Sequence, residues 1–301
     1  MQNSISREQT VRLLRLATFS SVATAGLLIG AKLLAWLATG SVSVLASLVD
    51  SLMDAAASLI NLVAVRYALM PADAEHRFGH GKAESLAGLV QATFIAGSAA
   101  FLILHALDRL LHPRDLESLG VGVAVMLFSI LATLVLLGIQ HYVIRRTGST
   151  AIRADSLHYA SDLLSNSGIL VALVLAQFGW GGLDPVFAVG IALYILYSAW
   201  QIGSEAFQLL MDREIPTELR ERIRAVALEH PSVQGVHDLR TRKSGATVFI
   251  QLHLELDQDL SLLRAHDIAD EVDARVRDAV PEAEILIHKD PVVQGERAAQ
   301  S

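Results

Sequence analysis

The chain has 301 residues, 52% of them apolar, and a mean hydropathy of +0.45. Soluble domains carry about 45–50% apolar residues with glycine included, so the excess needs a non-aqueous location, and it is concentrated before Met211. A net charge of −7 disfavours nucleic acid as a partner, and the absence of cysteine excludes disulfides and thiolate metal sites.

Met1 to Arg15 is polar and basic, and no small-residue cleavage site follows a short apolar core. The first apolar run is therefore expected to be a retained span rather than a removed signal. Six segments reach the ~20 residues that a membrane helix needs: Leu14–Leu37, Val42–Tyr67, Leu86–Leu110, Leu119–Tyr142, Leu157–Phe178 and Val186–Leu210. The connections after the first, third and fifth hold few basic residues, chiefly Arg114, with Arg109 just before. The other side collects Arg7, Arg12, Arg15, Arg66, Arg77, Lys82, Arg145, Arg146, Arg153 and Arg213. By the positive-inside rule this predicts a multi-pass protein with both termini in the cytoplasm. Trp36 and Trp180 fall where interfacial aromatic residues are expected, on the outer side.

Beyond Met211 the pattern becomes that of a soluble domain. Pro216 to Glu229 reads as an amphipathic helix with Leu219, Ile223, Val226 and Ala227 on one face. Val233–Thr241 and Thr247–Leu256 read as strands, the second alternating as Val248, Ile250, Leu252, Leu254 and Leu256. Leu262–Val280 reads as a helix and Ala283–His288 as a last strand. The expected fold class is an α-helical polytopic membrane domain of six transmembrane helices plus a small αββαβ domain of the α+β class. The expected boundaries are 1–210, 211–291 and a loose polar tail over 292–301.

The second span carries Asp50 and Asp54, four residues apart and therefore on one helical face. Each aspartate near the centre of a membrane helix costs about 2.5–3.5 kcal/mol on insertion scales. Counted from Val42 at about 1.5 Å per residue, they lie roughly 12 and 18 Å into a ~30 Å hydrocarbon core. The fifth span runs the opposite way. Counted from Thr150, its own pair, His158 and Asp162, reaches the same depths, roughly 12 and 18 Å. Three carboxylates and an imidazole suit a four-coordinate divalent ion such as zinc, and the single histidine favours zinc, iron or cadmium over harder ions. Mutual or backbone satisfaction could account for one such aspartate, but not for four ionisable groups at matched depth. Asp155, a turn nearer the cytoplasm, reads either as a ligand on the way in or as a carboxylate placed by the helix dipole.

Two further groups stand outside the spans. In the loop after the second span, Asp73, His76 and His80 could close on an ion or be incidental members of a solvated loop, and spacing does not decide between them. In the soluble domain, His237, His253, His266 and His288, with Asp290 two residues after the last, suggest a histidine-rich divalent site; scattered surface histidines are the alternative. His230 precedes Pro231 and reads as a helix end, while His105, His112 and His141 lack partners at helical spacing and read as structural.

Four stretches carry a family resemblance: Leu45-Ala-Ser-Leu-Val-Asp-Ser51, Phe78-Gly-His-Gly-Lys-Ala-Glu84, Ala154-Asp-Ser-Leu-His-Tyr-Ala-Ser-Asp162 and Ile287-His-Lys-Asp-Pro291. Through them the chain resembles the cation diffusion facilitator family, in its bacterial zinc and ferrous-iron efflux branch, from about Arg12 to Pro291. The resemblance implies a homodimer in the bacterial inner membrane, with a metallochaperone-like cytoplasmic domain, that exchanges divalent metal for protons. It makes Asp50, Asp54, His158 and Asp162 the transport site, and Asp73, His76 and His80 a loop site. It makes His237, His253, His266, His288 and Asp290 a binuclear site, and Lys82 and Asp212 a charged interlock near the dimer interface. Relatives often carry glutamine where this chain has Lys289, which matters if that glutamine binds metal through its side chain.

The expected function is efflux of a divalent cation, Zn2+ first and Fe2+, Cd2+ or Mn2+ as alternatives, by proton antiport with alternating access. Metal binding requires deprotonated ligands and so releases protons. An intramembrane metalloenzyme would need an open coordination position and a general base. No H-E-x-x-H motif is present and all four inner groups are committed as ligands, so the chain is not expected to be an enzyme. A metal sensor merely anchored by its spans would leave the costly mid-membrane ligands unexplained.

Overall fold

The computed structural model describes residues 7–40, 42–111, 120–177, 184–281 and 283–292. The expected features at His112, Arg114, Trp180 and 293–301 lie outside the described residues, as do the side chains of Arg7, His105 and Arg109. Two compact units are formed, Glu8–Phe207 and one that begins at Gln208.

The first unit is helical: α1 (Arg7–Thr39), α2 (Val42–Ala68), α3 (Lys82–Leu111), α4 (Gly120–Thr147), α5 (Thr150–Gln177) and α6 (Asp184–Leu210). Glu8–Thr39, Ser47–Ala68, Lys82–Asp108 and Ala124–Thr147 are each long and apolar enough to cross a membrane. The first half of α5 is interrupted by Arg153, Asp155, His158 and Asp162, which lowers its hydropathy.

Large apolar side chains such as Leu34, Leu131, Tyr194 and Trp200 are exposed, whereas Ser21, Ser58, Asn61, Gln140 and Asp155 are buried. That distribution suits lipid, where each helix satisfies its own backbone and the outer surface must be apolar. Close packing relies on small residues, as is usual between membrane helices: Ala17, Ala92, Ala151, Ala154 and Ala199 are almost fully covered. At Gly88 a Cβ would sit 3.4 Å from the Thr150 backbone, so α3 meets the start of α5 closely. That start is well defined. Gly148 turns the chain at φ +63°, and Ser149 Oγ accepts the Ile152 N–H at 3.2 Å, capping the helix.

The second unit contains α7 (Thr217–Leu228), β1 (Gly235–Ser244), β2 (Thr247–Asp257), α8 (Leu262–Ala279) and β3 (Ala283–Val292). The sheet order is β1-β2-β3, with β1 antiparallel and β3 parallel to β2. Ile250, Leu252, Leu254 and Leu256 pack under the helices against Ile223, Ile268, Val272 and Val276. Ser261 Oγ caps α8 by accepting the Arg264 N–H. β1 runs past Thr241 to Ser244 because the Gly245 turn (φ +58°) closes a tight hairpin. β3 runs past His288 through Pro291, which pairs with Leu256. An edge strand tolerates the proline that a central strand would not.

Candidate metal centres

α2 turns one polar stripe inward. Ser47, Ser51, Asp54, Ser58 and Asn61 recur at helical spacing, and all but Ser47 are buried. α5 presents His158 and Asp162 one turn apart. His158 Nε2 lies 3.0 Å from Asp54 Oδ1, and ligand atoms of Asp54, His158 and Asp162 fall within 4.8 Å of one another. Tetrahedral coordination by nitrogen and oxygen at 2.0–2.2 Å separates ligand atoms by about 3.3–3.6 Å, so small side-chain movements suffice to close on an ion. Asp50 stands apart from this trio and is exposed, yet it lines the same cavity of about 1030 Å³ with Asp54, Asn61, Gln91, His158 and Asp162.

Asp155 corrects both of its expected roles. α5 begins at Thr150, so Asp155 lies beyond the first turn, and it is fully buried rather than placed at a mouth. Its carboxylate accepts hydrogen bonds from Gln91 Nε2 at 3.1 Å and Gln140 Nε2 at 2.7 Å, tying α3 and α4 to α5. Nearby, Ser21 Oγ and Ser58 Oγ lie 2.9 Å apart, and Ser58 Oγ lies 2.9 Å from Tyr159 OH. Lys32 on α1 is missing from the sequence reading. It is 8% exposed, and its Nζ donates to Ser47 O at 3.0 Å and Ser51 Oγ at 2.6 Å. An ionisable residue within a span was the available signal.

The loop after α2 folds around Asp73. Its Oδ1 accepts the backbone N–H groups of Glu75 at 2.9 Å and His76 at 2.6 Å. The His76 N–H is the chief reason that its carboxyl is held below the usual carboxylate range. Gly79, at φ +75°, turns the chain so that the His76 and His80 rings lie 4.5 Å apart. His76 Nδ1 is 3.4 Å from Asp73 Oδ1 and His80 Nε2 is 3.3 Å from Oδ2. His80 is buried with Nδ1 unpartnered. Asp73, His76 and His80 thus offer three converging ligand atoms.

In the soluble unit strand register does the gathering. His237 pairs with His253 across β1–β2, and His253 with His288 across β2–β3. Asp290 lies at the centre. Its Oδ2 is 2.8 Å from His253 Nδ1 and 3.2 Å from His237 Nε2, and its Oδ1 is 3.1 Å from His288 Nε2. The hydrogen bond from His253 is the main cause that keeps the Asp290 carboxyl below the ordinary range. Glu255, on β2 two residues after His253, holds His237 Nδ1 at 3.2 Å, a second contact of the kind that orients a metal-binding imidazole.

His266 is not brought into this cluster; it is exposed on α8, 3.6 Å from Asp270. Lys289 pairs with Leu254 and alternates with His288 and Asp290 along β3, so its side chain belongs to the opposite face. Asp212, in the left-handed region at φ 57°, lies 3.5 Å from Arg242. His230 is a structural link: Nδ1 accepts the Ser232 N–H at 3.2 Å, and Nε2 is 3.0 Å from Glu271 on α8.

Residues 18–211 match the cation efflux transmembrane domain, and residues 215–292 match the cytoplasmic domain of cation efflux proteins. The chain is 51% identical over 280 residues to the cation-efflux pump FieF of Klebsiella pneumoniae, covering 93% of each chain. It is 54% identical over 281 residues to the pump of the same name from Pectobacterium atrosepticum, covering 93% of this chain and 94% of that one. Among solved structures, CzrB in its zinc form is 36% identical, covers 29% of this chain and 97% of its own, and has a TM-score of 0.27.

Proposed function

The chain belongs to the cation efflux family, and from that premise we propose that it expels zinc from the bacterial cytoplasm in exchange for protons. Divalent metal cation efflux is the activity its relatives support, and these relatives are transporters rather than enzymes. The observation that carries the finer reading is the convergence of Asp54, His158 and Asp162 from two helices of the membrane unit.

Asp54, His158 and Asp162 are the ligands of the transported ion, and Asp50 completes the set from one turn away on α2. A mixed nitrogen and oxygen set suits zinc, and its one imidazole also admits iron, cadmium or manganese. Ligands must lose protons to take metal, so protons and metal exclude one another at the same atoms. Exposing that one site to each side in turn, by alternating access, yields antiport driven by the inward proton gradient.

Asp73, His76 and His80 hold ions on the cytoplasmic side, between α2 and α3. His237, His253, His288 and Asp290 form a regulatory site on the soluble domain. Their donor chemistry fits a zinc-like ion, which would cross-link the three strands; His266 stands outside that set within one chain. The protein works as a homodimer in the inner membrane with both termini cytoplasmic, the transport domain over 1–210 and the soluble domain over 211–291, and with Lys82 and Asp212 near the dimer interface.

Zinc flux in proteoliposomes tests the transport site. Asp54→Ala and His158→Ala are expected to abolish it, and unchanged flux in either would sink the assignment. Competition among zinc, cadmium, iron and manganese in the same assay identifies the preferred ion.

A further inference from the structure

α1 contributes one cation to the interior of the membrane unit, and its setting is unusual. Lys32 lies about 10 Å from the C-terminal end of α1, close enough for its long stem to reach toward the interface, as such side chains ordinarily do. It turns inward instead. Its ammonium is held on α2 by Ser47 O and Ser51 Oγ, and Ser51 lies directly between the two aspartates of that helix in sequence.

Ser51 is one residue from Asp50 and three from Asp54, which sets the Lys32 ammonium near the carboxylates of the transport site. Among the described residues, however, no carboxylate comes within ion-pair distance of its Nζ. The two serine oxygens keep the ammonium beside the site and out of the position an ion would take. A charge count gives this placement a consequence. Three ionised carboxylates and one ammonium leave two negative charges, which one divalent cation balances with His158 neutral. Without Lys32, the loaded site would retain one negative charge in a poorly solvated interior.

We propose that Lys32 is a tethered counter-charge of the transport site, a positioning residue that weakens cation binding enough for the ion to be released. The inference rests on the transport-site assignment given above. A lysine serving only to clasp α1 to α2 would have the same hydrogen bonds, so the test must read charge rather than shape.

The experiment measures initial zinc flux against zinc concentration for the full-length protein in proteoliposomes, comparing wild type, Lys32→Met, Lys32→Arg and Asp54→Ala. Removing one positive charge several ångströms from the ion is expected to lower the KM of Lys32→Met about ten-fold and to lower kcat with it, because release slows. Lys32→Arg, which keeps the charge, is expected to keep KM within about two-fold of wild type. Where Lys32→Met does not fold, Lys32→Gln, which keeps a donor for Ser47 and Ser51, is read in the same way. An unchanged KM in the folded neutral variant, or a Lys32→Arg that behaves like it, overturns the counter-charge and leaves a clasp. Those results count against Lys32 alone when Asp54→Ala has lost flux. Flux surviving in Asp54→Ala overturns the transport site and this inference together.

Discussion

The helices of the membrane unit and the sheet of the soluble unit each gather histidine and aspartate at one place, by opposite means. In the membrane unit the polar groups are inside and the apolar ones outside: Asp54, Asp155 and Gln140 are buried while Leu34, Leu131 and Trp200 are exposed. In the soluble unit Ile250, Leu252 and Leu254 are buried, and His237 and His288 lie exposed on the other face of the sheet. Lipid offers no hydrogen bonds, so an inward polar group that loses its partner within the protein has no solvent to replace it. Polar groups on the exposed face of a sheet can fall back on water. Substitutions should therefore be severe in the first unit and graded in the second.

After the loss of flux expected for Asp54→Ala, the next largest effect belongs to Asp155→Ala. It leaves the buried Gln91 and Gln140 amides without their acceptor and should destabilise the protein by about 2–3 kcal/mol, measured by thermal unfolding in detergent. An unchanged midpoint would show that the membrane interior tolerates unpaired amides, and the contrast between the units would fail.

In the soluble unit, His253→Ala is expected to reduce the stabilisation that added zinc confers, read as a smaller zinc-induced shift in unfolding temperature, while transport continues. Complete loss of flux in this variant would make the two sites one functional device and break the comparison from the other side.

The smallest effect is expected at Glu271, whose carboxyl is held below its ordinary range chiefly by the hydrogen bond from His230. A lowered folded-state pKa stabilises above the unfolded value of about 4.3, and that contribution disappears as pH falls through the folded value. Glu271→Gln should therefore be slightly less stable than wild type at neutral pH and indistinguishable from it in strong acid. A difference that persists in strong acid would assign the effect to shape rather than charge.

Some of this organisation was legible because it follows from fixed periods. A constant helix rise set Asp54 and His158 at matching depths on antiparallel spans, and in the structure these two side chains meet. The alternation of β2 marked Ile250, Leu252 and Leu254 as the buried face, and they form the core. Other contacts leave no such trace. Gln91 and Gln140 lie on different helices, and only the packing of three helices brings both onto Asp155. Asp50 shares a helical face with Asp54, yet the small rotation between positions i and i+4 leaves it exposed beside the half-buried trio.

By itself, the sequence determined which segments seek lipid, which faces seek a core, and that ionisable groups at mid-span need one another. These are properties of single elements, set by transfer free energy and by the geometry of one helix or strand. Tertiary structure alone decided which elements are neighbours. It brought Lys32 onto Ser51 and enclosed Asp155 between two glutamines, and it aligned His237, His253 and His288 across three strands around Asp290. The physical reason is that a contact between elements depends on how their surfaces pack, and packing is a joint property of two surfaces that neither segment encodes alone.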